Sequence, residues 1–553
     1  MRRDRSGHAI LRRRMGSGIL AGDRATAPQI VVCALILALS GVLLFASHVE
    51  HGGRYSDDWA NAAAFRFKAG DDLGRGFEEF RDELGGRPIY SLSLATVESL
   101  WRDDFAAQLA LTVTLSAIAS LLFFAVLRRL GLGVEWAIVA AVLSFVYPWS
   151  DATRLWAALA PNEPCLIFYF GGFLVAAHGL RSSHPRLWHV GALLLYVLSV
   201  LTYEAAGLAI LLTGVLYVAL AGWRRARPRW AADVAVILPT LAVVFTLDRT
   251  ARVTPGWRSV ASGLYHLPGQ GIRALLEALV PLSVSSGIRA LIVLAFVGAL
   301  VLAIRHVGPG TRRRLAPDVG LLIGSLVVLA IAWFPFLGAD LPPQAPGLDN
   351  RGNIGAAFAI ALLVVALARI SGKAAAGVVR DARGFAVAAV ITLGAIATGW
   401  VITARDHADA YDRSARGQEE LLSGLTAALP APRRGTTIYT TAAAGQSAPG
   451  IPVFSETWDL KGAVKLTWND ATLRGFPIVG EARLECAADG VVPRAPPLQA
   501  TAVIEEGYGK QQGAPYGRAI VYDARSRRAH QVGSRKRCRR VVGATRPGPI
   551  VAR

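Results

Sequence analysis

A chain of 553 residues that is 53% hydrophobic and 18% charged, with mean hydropathy +0.40, is too apolar for ordinary soluble domains and reads as an integral membrane protein. Its formal net charge of +20 does not imply a nucleic-acid partner. Outside the C-terminal third the arginines bracket apolar runs, as membrane-orientation signals do, instead of forming the continuous basic surface that a phosphate backbone requires.

Residues 1–27 form a basic stretch with Arg2, Arg3, Arg5, Arg12, Arg13 and Arg14, expected to lie in the cytoplasm without structure of its own. The apolar run 28–47 is long enough to cross ~30 Å of hydrocarbon and lacks a small-residue cleavage site, so it is expected to stay as a signal anchor. Further spans are expected at 105–127, 134–148, 164–180, 187–202, 204–222, 231–247, 288–304, 319–336, 354–370 and 385–403. That makes about eleven in an all-α polytopic bundle covering 28–403. The pair 187–202 and 204–222 is separated only by Thr202-Tyr203-Glu204.

Loop charge fixes the expected orientation. With the N-terminus cytoplasmic, the inner loops carry Arg128-Arg129, Arg181, Arg186, Arg224-Arg225, Arg312-Arg313-Arg314, Lys373 and Arg380, as the positive-inside rule requires. The outer loops carry Asp57-Asp58, Asp151, Glu163, Glu204, Asp248, Asp340 and Asp349. The first outer loop, 48–104, is long for a connector. Within it Leu73, Phe77, Phe80 and Leu84 fall at helical spacing, predicting an amphipathic helix that either lies in the interface or caps the bundle.

From 404 the composition changes. Asp406-His407 opens a helix expected to run to Leu429, and strand-like runs follow at 436–441 and 519–522, predicting an extracytoplasmic α+β domain over 404–553. Cys33 and Cys165 sit in apolar runs, whereas Cys486 and Cys538 could pair if the region is exported. The basic run 535–540 reads as a solvated or anionic-lipid-facing patch.

Transfer of a sugar from a lipid phosphate needs a base for the acceptor hydroxyl and cations for the departing phosphate. Asp57 and Asp58, adjacent at the membrane surface, are candidates for the base, because like-charge repulsion and desolvation raise the pKa of one of two neighbouring carboxylates. The alternative is a solvated acidic turn. Arg87 and Arg351 each precede a return into the membrane and are candidate phosphate ligands, the alternative being interfacial anchors. Arg154 is a weaker candidate for the same role, and the flanking Trp149 and Trp156 could stack on sugar faces, although an interfacial aromatic belt gives the same pattern; Trp59 is a further candidate substrate-binding residue. Glu204 stands at a break between apolar stretches and is expected to line the site or pair with an arginine. No zinc-ligand spacing, P-loop, dinucleotide fingerprint or hydrolase triad order occurs. A divalent cation is the only cofactor considered, and no residue set points to it.

Taken together, the first span, the outer loop from Asp57-Asp58-Trp59 to Gly86-Arg87-Pro88, Tyr147-Pro148 with Trp156, Thr202-Tyr203-Glu204 and Asn350-Arg351 resemble the GT-C superfamily. The likeness, over about 30–405, is to bacterial multi-spanning glycosyltransferases of the O-antigen glucosyltransferase and protein mannosyltransferase type. It implies an inverting enzyme of the cytoplasmic membrane that uses a polyprenyl-phosphate sugar donor and a glycan, lipid or protein acceptor on the outer face. It also implies an active-site acid at Asp57 or Asp58. Members commonly carry Asp-Glu or a single Asp at this point, so the division of roles stays open. The alternatives are a lipid-linked glycan flippase and a non-catalytic envelope-assembly protein.

Overall fold

The computed structural model describes residues 24–247, 257–337, 341, 343, 345–494 and 513–552. Most of the basic N-terminal stretch, Asp248 and Asp340 lie outside the described residues. Among those described, ten helices are long and apolar enough to cross a membrane, from Ala27–His51 to the helix ending at Ala428, which makes this a multi-pass membrane protein. The expected span 134–148 is instead the 13-residue helix Val134–Val146. At 1.5 Å per residue it reaches only about 20 Å. It stops where Tyr147 precedes Pro148, which disfavours helical backbone at Tyr147. The chain then runs through short helical turns to Glu163 almost wholly buried, so irregular backbone is enclosed by protein.

The neighbouring spans Pro185–Thr202 and Glu204–Ala221 are parted at Tyr203, whose backbone is extended (φ −159°, ψ 124°). An amphipathic helix at Trp257–Leu279 had no counterpart in the sequence reading. At the arginine-rich end of the bundle, buried Asp318 takes both Arg369 (2.7 Å) and Lys373 (2.5 Å), so a buried acid there is neutralised by two cations.

The first long loop is a cap of three helices, Asp57–Phe67, Leu73–Leu84 and Pro88–Trp101. Phe65, Phe80, Leu94 and Ala95 form a small core among them, with Phe77 and Leu84 packed against it. The amphipathic stripe of Leu73–Leu84 is therefore used largely within the cap, the second of the two expected outcomes.

The last span continues without interruption as Ala382–Ala428, about 70 Å of helix that carries the chain from the bundle into the C-terminal α+β region. There a four-stranded sheet runs in the order Arg474–Pro477, Thr437–Thr441, Ala519–Asp523, Arg528–Val532. The first three strands are parallel and the last antiparallel. A smaller antiparallel sheet follows, and Cys486 is bonded to Cys538. The helix Thr457–Trp468 leaves this region to lie against Asp57–Phe67. At Gly462 a Cβ would come within 2.3 Å of the Trp59 carbonyl oxygen, so only glycine permits the approach.

Long-range polar ties fix this end of the bundle. Buried His48 in the first span bonds Asp412 (2.6 Å) and the Leu155 carbonyl (2.9 Å). Tyr55 donates its hydroxyl hydrogen to the Tyr411 carbonyl (3.0 Å), and Trp156 donates to the Tyr55 carbonyl (3.0 Å). These groups are paired in the low-dielectric interior, where leaving one unpaired would cost ~1–3 kcal/mol.

Candidate functional site

The site begins at Ser56, the residue before the helix Asp57–Phe67. Its backbone (φ 45°, ψ −110°) lies where non-glycine residues are strained, at a cost of ~1–3 kcal/mol. Two contacts hold it. The Trp458 indole N–H donates to Ser56 Oγ (3.2 Å), and Asp58 Oδ2 accepts the Tyr55 N–H (2.8 Å), closing the turn. The strained turn sends the two neighbouring carboxylates to different partners.

Asp58 is buried against its own turn. Burial pushes its pKa well above the ordinary carboxylate range; the Tyr55 N–H opposes this, Glu98 and Asp57 add to it, and Arg54 opposes it. Asp57 is only partly buried. Burial raises its pKa too, but Arg351 and hydrogen bonds from Ser56 and Trp458 pull it back, with Asp349 a small opposing charge. Ser56 Oγ lies 3.3 Å from Asp57 Oδ1. Asp57 is thus the carboxylate in electrostatic reach of a cation from another loop, while Asp58 caps a turn. Glu98, on the neighbouring helix, is pushed up to about 7 by burial against the opposing pull of Arg54 and Arg102.

Arg351 projects from the short helix Gly347–Asn353. That turn is pinned by Asn350, which donates to Asp151 Oδ1 (2.7 Å) and accepts the Ala152 N–H (3.0 Å), and by Asn353, which donates to the Trp149 carbonyl (2.8 Å). Asp151 in turn holds His407 (2.6 Å). The Arg351 guanidinium lies 5.4 Å over the Trp156 ring, is about a third exposed, and has Asp349 at a loose 3.9 Å. Such a cation retains donors for an incoming oxyanion.

Arg87 is engaged differently. It makes a bidentate pair with Glu204, Nε to Oε2 at 2.9 Å and Nη2 to Oε1 at 2.6 Å, and lies 5.0 Å over the Tyr203 ring. Gly86 permits this geometry, since a Cβ there would meet the Val244 carbonyl oxygen at 2.4 Å. The pair joins the cap helix Pro88–Trp101 to the break between two spans. Tyr90 and Tyr203 both lie in electrostatic reach of Arg87 and Arg351.

The remaining two candidates sit elsewhere. Arg154 is almost fully buried and donates to the Tyr147 carbonyl (2.7 Å) and Ser150 Oγ (3.3 Å), with Phe45 beneath it at 5.9 Å. It braces the enclosed 147–163 segment from within and has no face towards the Asp57 cluster. Trp59 donates its indole N–H to Gln418 (2.8 Å) and lies between Arg54 and Phe454, so it fastens the cap to the C-terminal region. Sequence reasoning missed Trp458, Tyr90 and Tyr203 as neighbours of Asp57 and the arginines; Tyr203 alone was signalled, by the break at Thr202-Tyr203-Glu204. Among the described residues no group of three or more His, Cys, Asp or Glu side chains could hold a metal ion.

No protein-family model matches the chain, and no curated protein matches it. Among solved structures, one of ArnT from Cupriavidus metallidurans in the apo state is similar at 14% identity over 88% of this chain and 92% of that one, with a TM-score of 0.37. A likeness that weak carries no weight for fold or activity.

Proposed function

We propose that this chain is a membrane glycosyltransferase of GT-C type that moves a sugar from a polyprenyl-phosphate carrier to a cell-envelope glycan, lipid or protein on the outer face of a bacterial cytoplasmic membrane. The observation that carries the reading is that Asp57, partly buried at a strained helix start, lies in electrostatic reach of Arg351, a partly exposed cation held on an aromatic ring and supplied by a loop almost 300 residues away. The pairing of Cys486 with Cys538 and the gathering of basic residues at the opposite end of the bundle favour an extracytoplasmic site.

In this reading an acceptor hydroxyl placed against Asp57 gives up its proton to the carboxylate as its oxygen attacks the anomeric carbon. The bond from that carbon to the carrier phosphate breaks on the opposite face, and the phosphate leaves with the electron pair, held by Arg351. Attack from the opposite face inverts the anomeric centre. Arg87, locked to Glu204, supports the phosphate side from the second layer, and Tyr203 and Tyr90 line it. The raised pKa of Asp57 makes the carboxylate a better proton acceptor than an exposed aspartate.

The test is release of polyprenyl phosphate from a panel of synthetic polyprenyl-phosphate hexoses and pentoses by the full chain in nanodiscs. One donor should turn over, and Arg351→Gln should raise its KM and lower kcat together. Turnover of no donor, or an Arg351→Gln enzyme that matches the parent, would sink the reading.

A further inference from the structure

The C-terminal region holds a cleft that the proposed transfer does not use. Three parallel strands begin at one edge of the four-stranded sheet, and that edge brings Thr437, Arg474 and Arg518 together. The helix Thr457–Trp468 forms the facing wall with Thr457, Lys461 and Lys465, which recur every four residues and so share one helix face. The cleft encloses about 680 Å³, the scale of a small-ligand site.

Its charge is one-sided. Four of the side chains lining it are cationic, and among the described residues that line it none is acidic. Burial and the like charges of Lys461, Lys68 and Arg474 hold Lys465 below its ordinary pKa. Asp470 accepts from Thr472 (2.7 Å), Asp459 accepts the Ser455 and Glu456 N–H groups (3.1 and 3.2 Å), and Glu79 pairs with Lys68. Lys461 and Lys465, one turn apart on the helix, repel each other, and an anion seated between them and Arg518 reverses the sign of that effect.

We infer that this cleft binds the anionic group of a glycan, a carboxylate or phosphate borne on a saccharide. Arginine and lysine side chains on opposite walls can hold such a group from both sides, while the Thr437 and Thr457 hydroxyls can bond sugar hydroxyls. A concave site of this size on the sheet edge suits a saccharide better than a bilayer surface, which is bound by a flat basic face with apolar side chains. The helix that supplies Lys461 and Lys465 also supplies Trp458, the partner of Ser56 beside Asp57. On the glycosyltransferase reading, the bound glycan is an acidic acceptor, held by the helix whose other face meets the cap.

Binding is measurable without transfer. The full chain in phosphatidylcholine nanodiscs is titrated calorimetrically with tetraglucuronate, with a phosphorylated mannotetraose, and with neutral mannotetraose. At least one acidic probe should bind while the neutral one does not, the responding probe showing which anion the cleft takes. The Lys461→Gln/Lys465→Gln variant, changed at the cleft wall, should bind it at least tenfold more weakly while melting no lower than the parent. Polyprenyl-phosphate release is assayed on the same samples: probe binding without release counts against the transfer reading alone, and release without probe binding counts against this inference alone. The inference is overturned if neutral and acidic probes bind alike, if neither acidic probe binds, if the double variant binds unchanged, or if the two lysines govern only capture by phosphatidylglycerol vesicles.

Discussion

Replacing Arg87 should act first through Glu204. The two side chains form two charge-assisted hydrogen bonds and are 20% and 15% exposed. Removing one partner of a fully buried pair costs ~3–5 kcal/mol, and residual exposure reduces this, so Arg87→Gln and Glu204→Gln should each destabilise by about 2 kcal/mol. The double variant leaves neither member of the pair facing the other's charge unpaired and should be little worse than either single one, a coupling energy of about 2 kcal/mol across the cycle. The assay is thermal unfolding of the four proteins in nanodiscs. At roughly 2 °C per kcal/mol, the lower end of the scaling for large domains, each single variant should melt about 4 °C below the parent. Transfer should fall in both single variants and recover in part in the double one, as expected of a strut that places the phosphate side of the site. Additive losses in melting would refute the strut. A double variant as inactive as Arg87→Gln alone would mean that Arg87 binds the donor directly.

Two other outcomes follow from the same geometry. Glu98 is raised to about 7 from an ordinary 4.5, so the stability it contributes is fully present below about pH 4.5 and is lost as pH rises through 7. The full loss is up to about 3 kcal/mol, and in pH-dependent melting Glu98→Gln should flatten the decline between pH 5 and 8; a decline unchanged from the parent would remove Glu98 as its cause. Trp458→Phe removes the indole N–H from Ser56 and Asp57 but keeps the ring, so it should cost about 1 kcal/mol of stability. Transfer should fall several-fold through kcat, with the acidic limb of the pH profile shifted upward because Asp57 loses a donor to its ionised form. An unmoved profile would leave Trp458 a packing residue only.

Features legible in the sequence depend on periodicity and chain punctuation. The stripe Leu73, Phe77, Phe80, Leu84 became a helix within those bounds, and Thr202-Tyr203-Glu204 broke the long apolar stretch where it was expected. The helix expected from Asp406 to Leu429 exists, but as the end of a single helix begun at Ala382, because no proline or glycine punctuates their junction. The helix Trp257–Leu279 escaped notice because Pro268 interrupts it and its apolar positions are spread around polar ones. The division between Asp57 and Asp58 was beyond pattern reading for a physical reason. Adjacent residues on a helix point about 100° apart, and which one faces the partner loop depends on the Ser56 turn and on Trp458, some 400 residues away. His48 with Asp412, 364 residues apart, shows the same limit.

The central claim is that Asp57 takes the proton while Asp58 caps a turn. The direct measurement is kcat for polyprenyl-phosphate release by Asp57→Asn and Asp58→Asn, side by side and matched for folding by melting curves. Asparagine can still accept the Tyr55 N–H at position 58 but cannot act as a base at position 57. Loss of a general base costs ~10²–10⁴-fold, so Asp57→Asn should fall by at least a hundredfold while Asp58→Asn stays within tenfold of the parent. The reverse order, or equal and small losses in both, would contradict the account.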